Sequence, residues 1–159
     1  MVKRCTLESP AGLILIEETD GEVTRIGFTE EQIKTPDQSP VLHETVRELL
    51  EYFEGNRKEF ELPLHPSGTA FQKKVWDALK EIPYGETRSY KEIAQAIGNP
   101  KACRAVGMAN HNNPIGIVIP CHRVLGANGA LTGYAGGLDK KASLLFLEQM
   151  HCDKLGEER

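Results

Sequence analysis

The chain is organised around Asn113-Pro114-Ile115-Gly116-Ile117-Val118-Ile119-Pro120-Cys121-His122-Arg123-Val124, where an apolar, strand-like run stops at a proline. A cysteine and a histidine follow that proline directly. A thiol is a strong nucleophile only as the thiolate, so Cys121 needs a base nearby, and His122 is the nearest candidate in sequence. Neighbouring residues of a strand point to opposite faces, so the pair can cooperate only if Pro120 begins a turn. The alternative for an isolated cysteine is a buried structural role.

Further motifs flank this stretch, and together they resemble one family. The stretch itself is similar to the active-site motif of the O6-alkylguanine-DNA alkyltransferases, also called methylated-DNA-protein-cysteine methyltransferases, whose signature is Pro-Cys-His-Arg-Val after an apolar run. Five ordered motifs over residues 71–148 identify the chain as a short bacterial-type member. Besides the central stretch, the four other motifs are Ser89-Tyr90, Gly98-Asn99-Pro100-Lys101, Arg104-Ala105-Val106-Gly107 and Gly133-Tyr134-Ala135-Gly136-Gly137-Leu138, and the single residue Glu148 also falls where the family expects it.

The charge is spread unevenly along the 159 residues, which suffice for one compact domain or two small ones. The formal net charge is −4. Residues 1–65 hold 7 Lys/Arg against 14 Asp/Glu, whereas residues 66–150 hold 10 Lys/Arg against 6 Asp/Glu. The asymmetry assigns any contact with DNA phosphates to the second half.

No apolar run reaches the length of a membrane span, and no apolar signal core follows the first four residues. We therefore expect a cytoplasmic protein without membrane association. The four cysteines have no Cys-x-x-Cys spacing, which predicts neither a disulfide framework nor a structural metal. They are Cys5, Cys103, Cys121 and Cys152.

The first half predicts a small domain over residues 1–65. Alternating residues within 2–28, with an Asp-Gly turn, predict a β-hairpin. Apolar residues at helical spacing predict a helix from Val41 to Tyr52, and the alternation at residues 60–64 predicts a short strand. The resemblance implies a ribonuclease-H-like α/β domain, to which the family generally assigns no residue of the chemistry.

The second half, residues 66–150, predicts a helical domain followed by a polar tail at 151–159. Thr69 and Ser89 are predicted helix caps, the second in a capping box. Asn99 is predicted to cap a further helix over residues 101–110, which completes a helix-turn-helix. A last helix is predicted over residues 140–150. The resemblance implies an α+β protein whose winged helix-turn-helix-like second domain carries the active-site cysteine.

Small residues on the predicted second helix suggest close approach to another backbone. In the family that backbone is DNA, and the helix enters the minor groove, where little sequence information is read. The implied partner is double-stranded DNA that contains O6-alkylguanine, bound by a monomer. The implied DNA-binding residues are Tyr90, Asn99, Lys101, Ala102, Arg104, Ala105 and Gly107. Arg104 is implied to fill the gap left by a flipped base, although an ordinary phosphate contact is the commoner role for an arginine.

The family mechanism implies that Cys121 attacks the alkyl carbon, while His122 takes the thiol proton through a water and Glu148 orients the imidazole. Asn113 is implied to brace the turn, and Tyr90 to protonate the departing guanine. The thioether is stable, so the protein is expected to act once, as a suicidal methyltransferase in DNA repair, without a cofactor.

The implied substrate pocket consists of Val124, Tyr134, Ala135 and Gly136. Many members have serine where this chain has Ala135, and Glu-Trp where it has Ala142-Ser143. Ala135 together with the residues at 108–110 is more similar to bacterial members that accept larger alkyl groups and O4-alkylthymine.

Three other functions are compatible with parts of the sequence. A non-catalytic alkyltransferase-like protein binds lesions, but such proteins replace the acceptor cysteine that is present here as Cys121. A transcription regulator would use the helix-turn-helix but leave Glu148 without a role. A cysteine hydrolase is compatible with the Cys121-His122 pair, yet no local signature of that class is present.

Overall fold

The computed structural model describes residues 1–157, with side chains through Cys152. The chain begins with an antiparallel sheet. The strands are β1 (Val2–Ser9), β2 (Gly12–Thr19) and β3 (Glu22–Phe28), paired in chain order. The predicted hairpin therefore gains a third strand, β1. Asp20 and Gly21 both have positive φ, 52° and 85°, as the tight turn between β2 and β3 requires.

One helix, α1 (Pro40–Phe53), packs against the sheet. Ser39 caps it by accepting the Leu42 amide. Its buried face includes two polar side chains that the apolar pattern did not count, Glu48 and Tyr52. The strand predicted at residues 60–64 is wrong. Within residues 60–64, only Leu64 forms a β-bridge, and its partner is Val23. A longer strand does not form because Pro63 and Pro66 have no amide hydrogen to donate to a neighbouring strand.

Three helices follow, α2 (Ala70–Lys80), α3 (Tyr90–Ala96) and α4 (Cys103–His111). Thr69 and Ser89 both form complete capping boxes, so both predicted caps are confirmed. The predicted start of α4 is wrong. Asn99 does not cap it; the chain first closes a turn in which the Ala102 amide donates to the Asn99 carbonyl at 3.0 Å, and Ala102 precedes the helix.

Two short strands and a long helix complete the second half. Strand β4 (Arg88–Ser89) pairs in parallel with β5 (Val124–Leu125). The last helix, α5 (Leu138–Glu157), is longer than predicted and continues through most of the segment predicted as a polar tail. Residues 158–159 of that tail lie outside the described residues.

The two halves share backbone hydrogen bonds at one point. The Ile26 amide of β3 donates to the Pro114 carbonyl at 3.0 Å, and the Gly116 amide donates back to the Ile26 carbonyl at 2.8 Å. The central stretch is therefore fixed against the sheet. The architecture confirms the predicted α+β class, with a sheet domain followed by a helical one. In the described part of the chain, no helix combines the length and the hydropathy that crossing a bilayer requires.

Candidate active site

The apolar run before Pro120 is a turn, which corrects its interpretation as a strand. The Ile119 amide donates to the Ile115 carbonyl at 3.1 Å, and Ile117 has a φ of 69°. Only Ile115 pairs in strand fashion, with Ile26. A continuous strand is not possible here because the segment closes its hydrogen bonds on itself and buries its isoleucines locally.

The side chain of Asn113 holds this turn closed. Its amide nitrogen donates to the Ile119 carbonyl at 2.8 Å, and its carbonyl oxygen accepts the Ile115 amide at 3.0 Å. Pro120 then begins a single 3-10 turn over Cys121–Arg123, as the cooperation of the cysteine and histidine requires. Both of those side chains are buried.

The Cys121 thiol faces a cavity of about 350 Å³ that it lines together with Asn113. Burial raises the pKa of Cys121, and hydrogen bonding from Asn113 and the charge of Lys141 only partly oppose this effect. The resting group is therefore a thiol, and a base must take its proton before it can act as a nucleophile.

The candidate base, His122, is the next residue of the chain. The His122 Nε2 atom lies 2.6 Å from Oε2 of Glu148, and both side chains are completely or almost completely buried. Burial lowers the pKa of His122 more than Glu148 raises it. Since Nε2 donates to the carboxylate, Nδ1 is the basic nitrogen, and it has no hydrogen-bond partner among the described residues.

Glu148 receives hydrogen bonds from several donors besides His122. The Arg123 guanidinium donates through Nε at 2.8 Å and Nη2 at 3.0 Å, Tyr52 donates its hydroxyl at 2.6 Å, and the Gly85 amide donates at 3.2 Å. Burial would raise the pKa of Glu148, but His122 and Arg123 outweigh it and hold that pKa well below its usual range. We call these five residues the Glu148 network.

The cavity has walls from both halves of the chain. Tyr134, Ala135 and Gly136 line one side, as predicted, and β3 of the first half lines the other with residues 25–28. A Cβ on Gly136 would lie 2.8 Å from the Phe28 ring, so the two walls are in close contact. Sequence patterns did not indicate the β3 wall, because Phe28 reads simply as a strand residue.

Four of the predicted catalytic and pocket residues lie outside the lining of this cavity: the buried pair His122 and Glu148, together with Val124 and Tyr90. Val124 is fully buried in β5, and Tyr90 donates its hydroxyl to the Thr132 carbonyl at 3.2 Å. Lys141, which the sequence reasoning missed, is fully buried and donates to the same carbonyl at 2.7 Å. Its ammonium lies 6.0 Å from the centroid of the Tyr90 ring.

Apart from Tyr90, which is half-buried at the start of α3, the predicted DNA-binding residues lie on the turn before α4 and on the first turns of that helix. Ala102 and Gly107 are half-buried, and Gly107 faces the Tyr90 ring, to which an added Cβ would lie at 3.9 Å. The other members are exposed, and we call them the α4 surface: Asn99, Lys101, Arg104 and Ala105, with Met108 beside them.

No group of three or more His, Cys, Asp or Glu side chains within residues 1–157 has the arrangement of a metal site. The cavity is lined by the Cys121 side chain, and the buried His122 is the next residue of the chain.

Two family models together match almost the whole chain. Residues 2–66 match the ribonuclease-like domain of 6-O-methylguanine DNA methyltransferase, and residues 70–150 match the DNA binding domain of the same family. The first half of the fold is thus the ribonuclease-like domain that the resemblance implied.

Individual relatives agree with both family models. A methylated-DNA–protein-cysteine methyltransferase from Methanosarcina acetivorans is 54% identical over 89% of this chain and 94% of its own. The crystal structure of the Mycobacterium tuberculosis O6-methylguanine methyltransferase is 46% identical, with a TM-score of 0.87 over 95% of this chain and 94% of that one. The M. tuberculosis protein in complex with DNA matches with a TM-score of 0.84 over 92% of each chain. The chain therefore belongs to the methylated-DNA–protein-cysteine methyltransferase family.

Proposed function

We propose that this protein repairs DNA by transferring the alkyl group of O6-alkylguanine irreversibly to Sγ of Cys121, once per molecule. One observation carries the proposal: the Cys121 thiol faces a cavity of about 350 Å³, and the adjacent His122 is hydrogen-bonded to Glu148 at 2.6 Å. Membership of the family and the DNA complex of the M. tuberculosis relative support the same reaction.

The first step is removal of the thiol proton. In this proposal Nδ1 of His122 accepts that proton, directly or through a water, and Glu148 stabilises the imidazolium that results. Because Arg123 and the Gly85 amide already orient the carboxylate, it needs no rearrangement during the step.

The second step is an in-line displacement at the alkyl carbon. The bond from Sγ of Cys121 to carbon forms as the bond from carbon to O6 breaks, and the electron pair stays on the guanine. A proton donor then neutralises the guanine anion. We assign that role to Tyr90, whose hydroxyl is tied to the loop at Thr132 beside the buried ammonium of Lys141.

A stacked guanine cannot reach a buried thiol, so the nucleotide must leave the duplex. We assign binding in the minor groove to the α4 surface, together with Tyr90 and the half-buried Ala102 and Gly107. Small side chains there permit close approach of a backbone, and Arg104 is exposed where it can occupy the space of the flipped base.

The extruded base would lie between Tyr134 and the β3 wall, with the Val124 carbonyl as an acceptor for its amino group. Ala135 supplies no hydroxyl to O6. We therefore propose a pocket that tolerates larger alkyl groups and O4-alkylthymine, because fewer polar groups in it require one particular base.

The remaining assignments concern organisation. We propose that residues 1–65 and 66–150 form the two domains, and that the protein acts as a monomer in the cytoplasm, where a reactive thiol stays reduced. The free thiols of Cys5, Cys103 and Cys121 support that compartment. The thiolate itself accepts the alkyl group, so the reaction requires no cofactor.

The test is the intact mass of the protein after mixing with an equimolar duplex that contains one O6-methylguanine, followed by peptide mapping. The expected result is a gain of one methylene, located on Cys121, that stops at one equivalent. The variant Cys121→Ser is the control and should bind the duplex without a gain in mass. An unmodified wild-type protein that still binds the lesion would overturn the proposal in favour of a non-catalytic sensor.

A further inference from the structure

A tyrosine of the first domain reaches the acid-base residues of the second. Tyr52 lies in the last turn of α1, none of its surface is exposed, and its hydroxyl donates to Oε2 of Glu148 at 2.6 Å. This contact joins residues 96 positions apart in the chain. The family resemblance assigned the first domain no part in the chemistry, so the contact requires an explanation.

Tyr52 and His122 share one carboxylate oxygen. Oε2 accepts from the tyrosine hydroxyl at 2.6 Å, from the imidazole Nε2 at 2.6 Å and from Arg123 Nη2 at 3.0 Å, whereas Oε1 accepts from Arg123 Nε and the Gly85 amide. Each donor to Oε2 draws negative charge from that oxygen, and so weakens the hydrogen bond that the oxygen accepts from another donor. The strength of the His122 contact therefore depends on the tyrosine beside it.

The direction of the Tyr52 hydroxyl is fixed by packing. Its ring meets Phe53 and Tyr84 edge to face, with centroids 5.2 and 6.0 Å away, and lies 5.6 Å from the Phe60 centroid. Burial, followed by the adjacent Glu148, raises the pKa of Tyr52 well above its usual value. The hydroxyl therefore stays protonated at neutral pH and donates to Glu148.

We propose that Tyr52 is a positioning residue that fixes the Glu148 carboxylate and sets the basicity of His122, so that the first domain tunes the reactivity of Cys121. This inference rests on the proposed function. Tyr52 touches neither the thiol nor the cavity, and it acts through Glu148.

Among the described residues, three charged groups affect the basicity of His122 directly: Glu148 and Lys141 from α5, and Arg123 from the same turn as His122. The neutral Tyr52 hydroxyl of α1 acts on it through Glu148. Only Tyr52 can be changed without removing a charge, since Tyr52→Phe deletes one hydroxyl and keeps the packed ring. It is therefore the cleanest probe of this arrangement.

The test measures the single-turnover rate of methyl transfer to Cys121 against pH. In Tyr52→Phe, the Glu148 carboxylate no longer accepts a hydrogen bond from the tyrosine, so its negative charge stabilises protonated His122 more strongly. His122 therefore becomes easier to protonate. We expect the pH at which the rate falls to half on the acid side to rise by about one unit, the scale of one lost hydrogen bond to a charged group. Duplex affinity should not change.

Tyr84→Phe is the matched control. The Tyr84 ring adjoins that of Tyr52, and its hydroxyl has no hydrogen-bond partner among the described residues. Its pH profile should coincide with that of the wild type. A Tyr52→Phe profile that coincides with the wild type would overturn the proposal, and equal shifts in both variants would also overturn it, because they would show a packing effect.

A second measurement does not depend on repair activity. Titration of the His122 nitrogens by NMR, assigned with His122→Gln, should show an upward shift in Tyr52→Phe. Replacing Tyr52 with 3-fluorotyrosine, a stronger donor of similar shape, should shift the titration downward. Absence of both shifts would refute the role of Tyr52. If the shifts occur in a protein that methylates no cysteine, the proposed function fails while the coupling between Tyr52 and His122 stands.

Discussion

The Glu148 network and the α4 surface differ in burial and in the number of their contacts. Glu148 is 1% exposed and accepts hydrogen bonds from an imidazole, a guanidinium, a hydroxyl and a backbone amide. On the α4 surface, Arg104 and Ala105 are exposed, and Met108 is 63% exposed. The Glu148 network makes its hydrogen bonds within the protein, whereas the α4 surface presents its side chains to solvent.

This difference implies a division of roles. A buried, fully hydrogen-bonded group is preorganised for one chemical step and is sensitive to small changes. An exposed surface with small side chains suits a partner that approaches from solvent. We therefore expect changes in the network to alter the transfer step itself, and changes in the α4 surface to alter access to a base within a duplex.

The largest effect is expected from Glu148→Gln. The amide cannot stabilise the His122 imidazolium, so methyl transfer should slow by roughly 10²–10⁴-fold, the usual contribution of acid-base catalysis. Duplex affinity should stay nearly unchanged. Single-turnover kinetics and a binding titration measure the two quantities, and loss of binding instead would make Glu148 a structural residue.

The control for this variant is Glu48→Gln. Glu48 is likewise a buried glutamate, 1% exposed, but it lies on α1 and pairs with Arg57. Removing its charge tests the cost of losing a buried carboxylate away from the thiol. A fall in transfer rate equal to that of Glu148→Gln would show that lost stability, not lost chemistry, explains both variants.

A smaller effect is expected from Arg104→Ala, on the exposed side of the comparison. Repair of a duplex should slow roughly tenfold to a hundredfold, the size of a lost charged contact to nucleic acid of about 1–3 kcal/mol. Lys74→Ala removes an exposed charge on α2 and should leave the rate within about twofold of the wild type. Equal slowing in both variants would mean that Arg104 contributes only general charge.

The pH dependence of stability tests the buried side of the comparison, the Glu148 network. Burial lowers the pKa of His122 from its ordinary 6.5, so the unfolded chain binds protons more readily than the folded protein. Its contribution to stability is complete above pH 6.5 and is lost as the pH falls below that value. Glu148, whose pKa is also lowered, adds to the loss below its ordinary 4.5.

We expect the free energy of unfolding to fall by up to about 1.4 kcal/mol per pH unit for each such proton. Urea unfolding at several pH values measures this slope. In His122→Gln the slope just below pH 6.5 should be smaller than in the wild type. An unchanged slope in His122→Gln would contradict the assignment.

The smallest effect is expected at a helix cap. Ser89→Ala removes the acceptor for the Glu92 amide at the start of α3 and should cost about 1 kcal/mol in urea unfolding. Since the cap adjoins Tyr90, duplex repair should slow slightly as well. Thr69→Ala breaks the equivalent cap of α2 and should cost similar stability without that slowing. Slower repair in both variants would mean that Tyr90 does not depend locally on its cap.

Local signals in the sequence were sufficient for several elements. The helix caps at Thr69 and Ser89 and the Asp20-Gly21 turn depend on residues within a few positions of one another, and the structure contains all three. The α+β class and the family could likewise be predicted, because their motifs are contiguous. Cys121 and His122 were proposed as site residues from the same kind of contiguous signal.

Long-range contacts could not be predicted in this way. In the sequence, Tyr52 is one residue of an ordinary amphipathic helix. A buried tyrosine hydroxyl needs a hydrogen-bond partner, but the sequence does not indicate that this partner is Glu148. The β3 wall of the cavity and the buried ammonium of Lys141 depend on the packing of separate elements. The strand predicted before Pro120 failed because Asn113 closes that segment into a turn.

The most direct test of the division of roles is the rate of methyl transfer to Cys121 from free O6-methylguanine base, measured beside the rate from a duplex. A free base needs no extrusion and so reports the chemical step alone. We predict that Glu148→Gln slows both rates to a similar degree, whereas Arg104→Ala slows only the duplex rate. Equal slowing of both rates by Arg104→Ala, or a normal free-base rate for Glu148→Gln, would contradict the account.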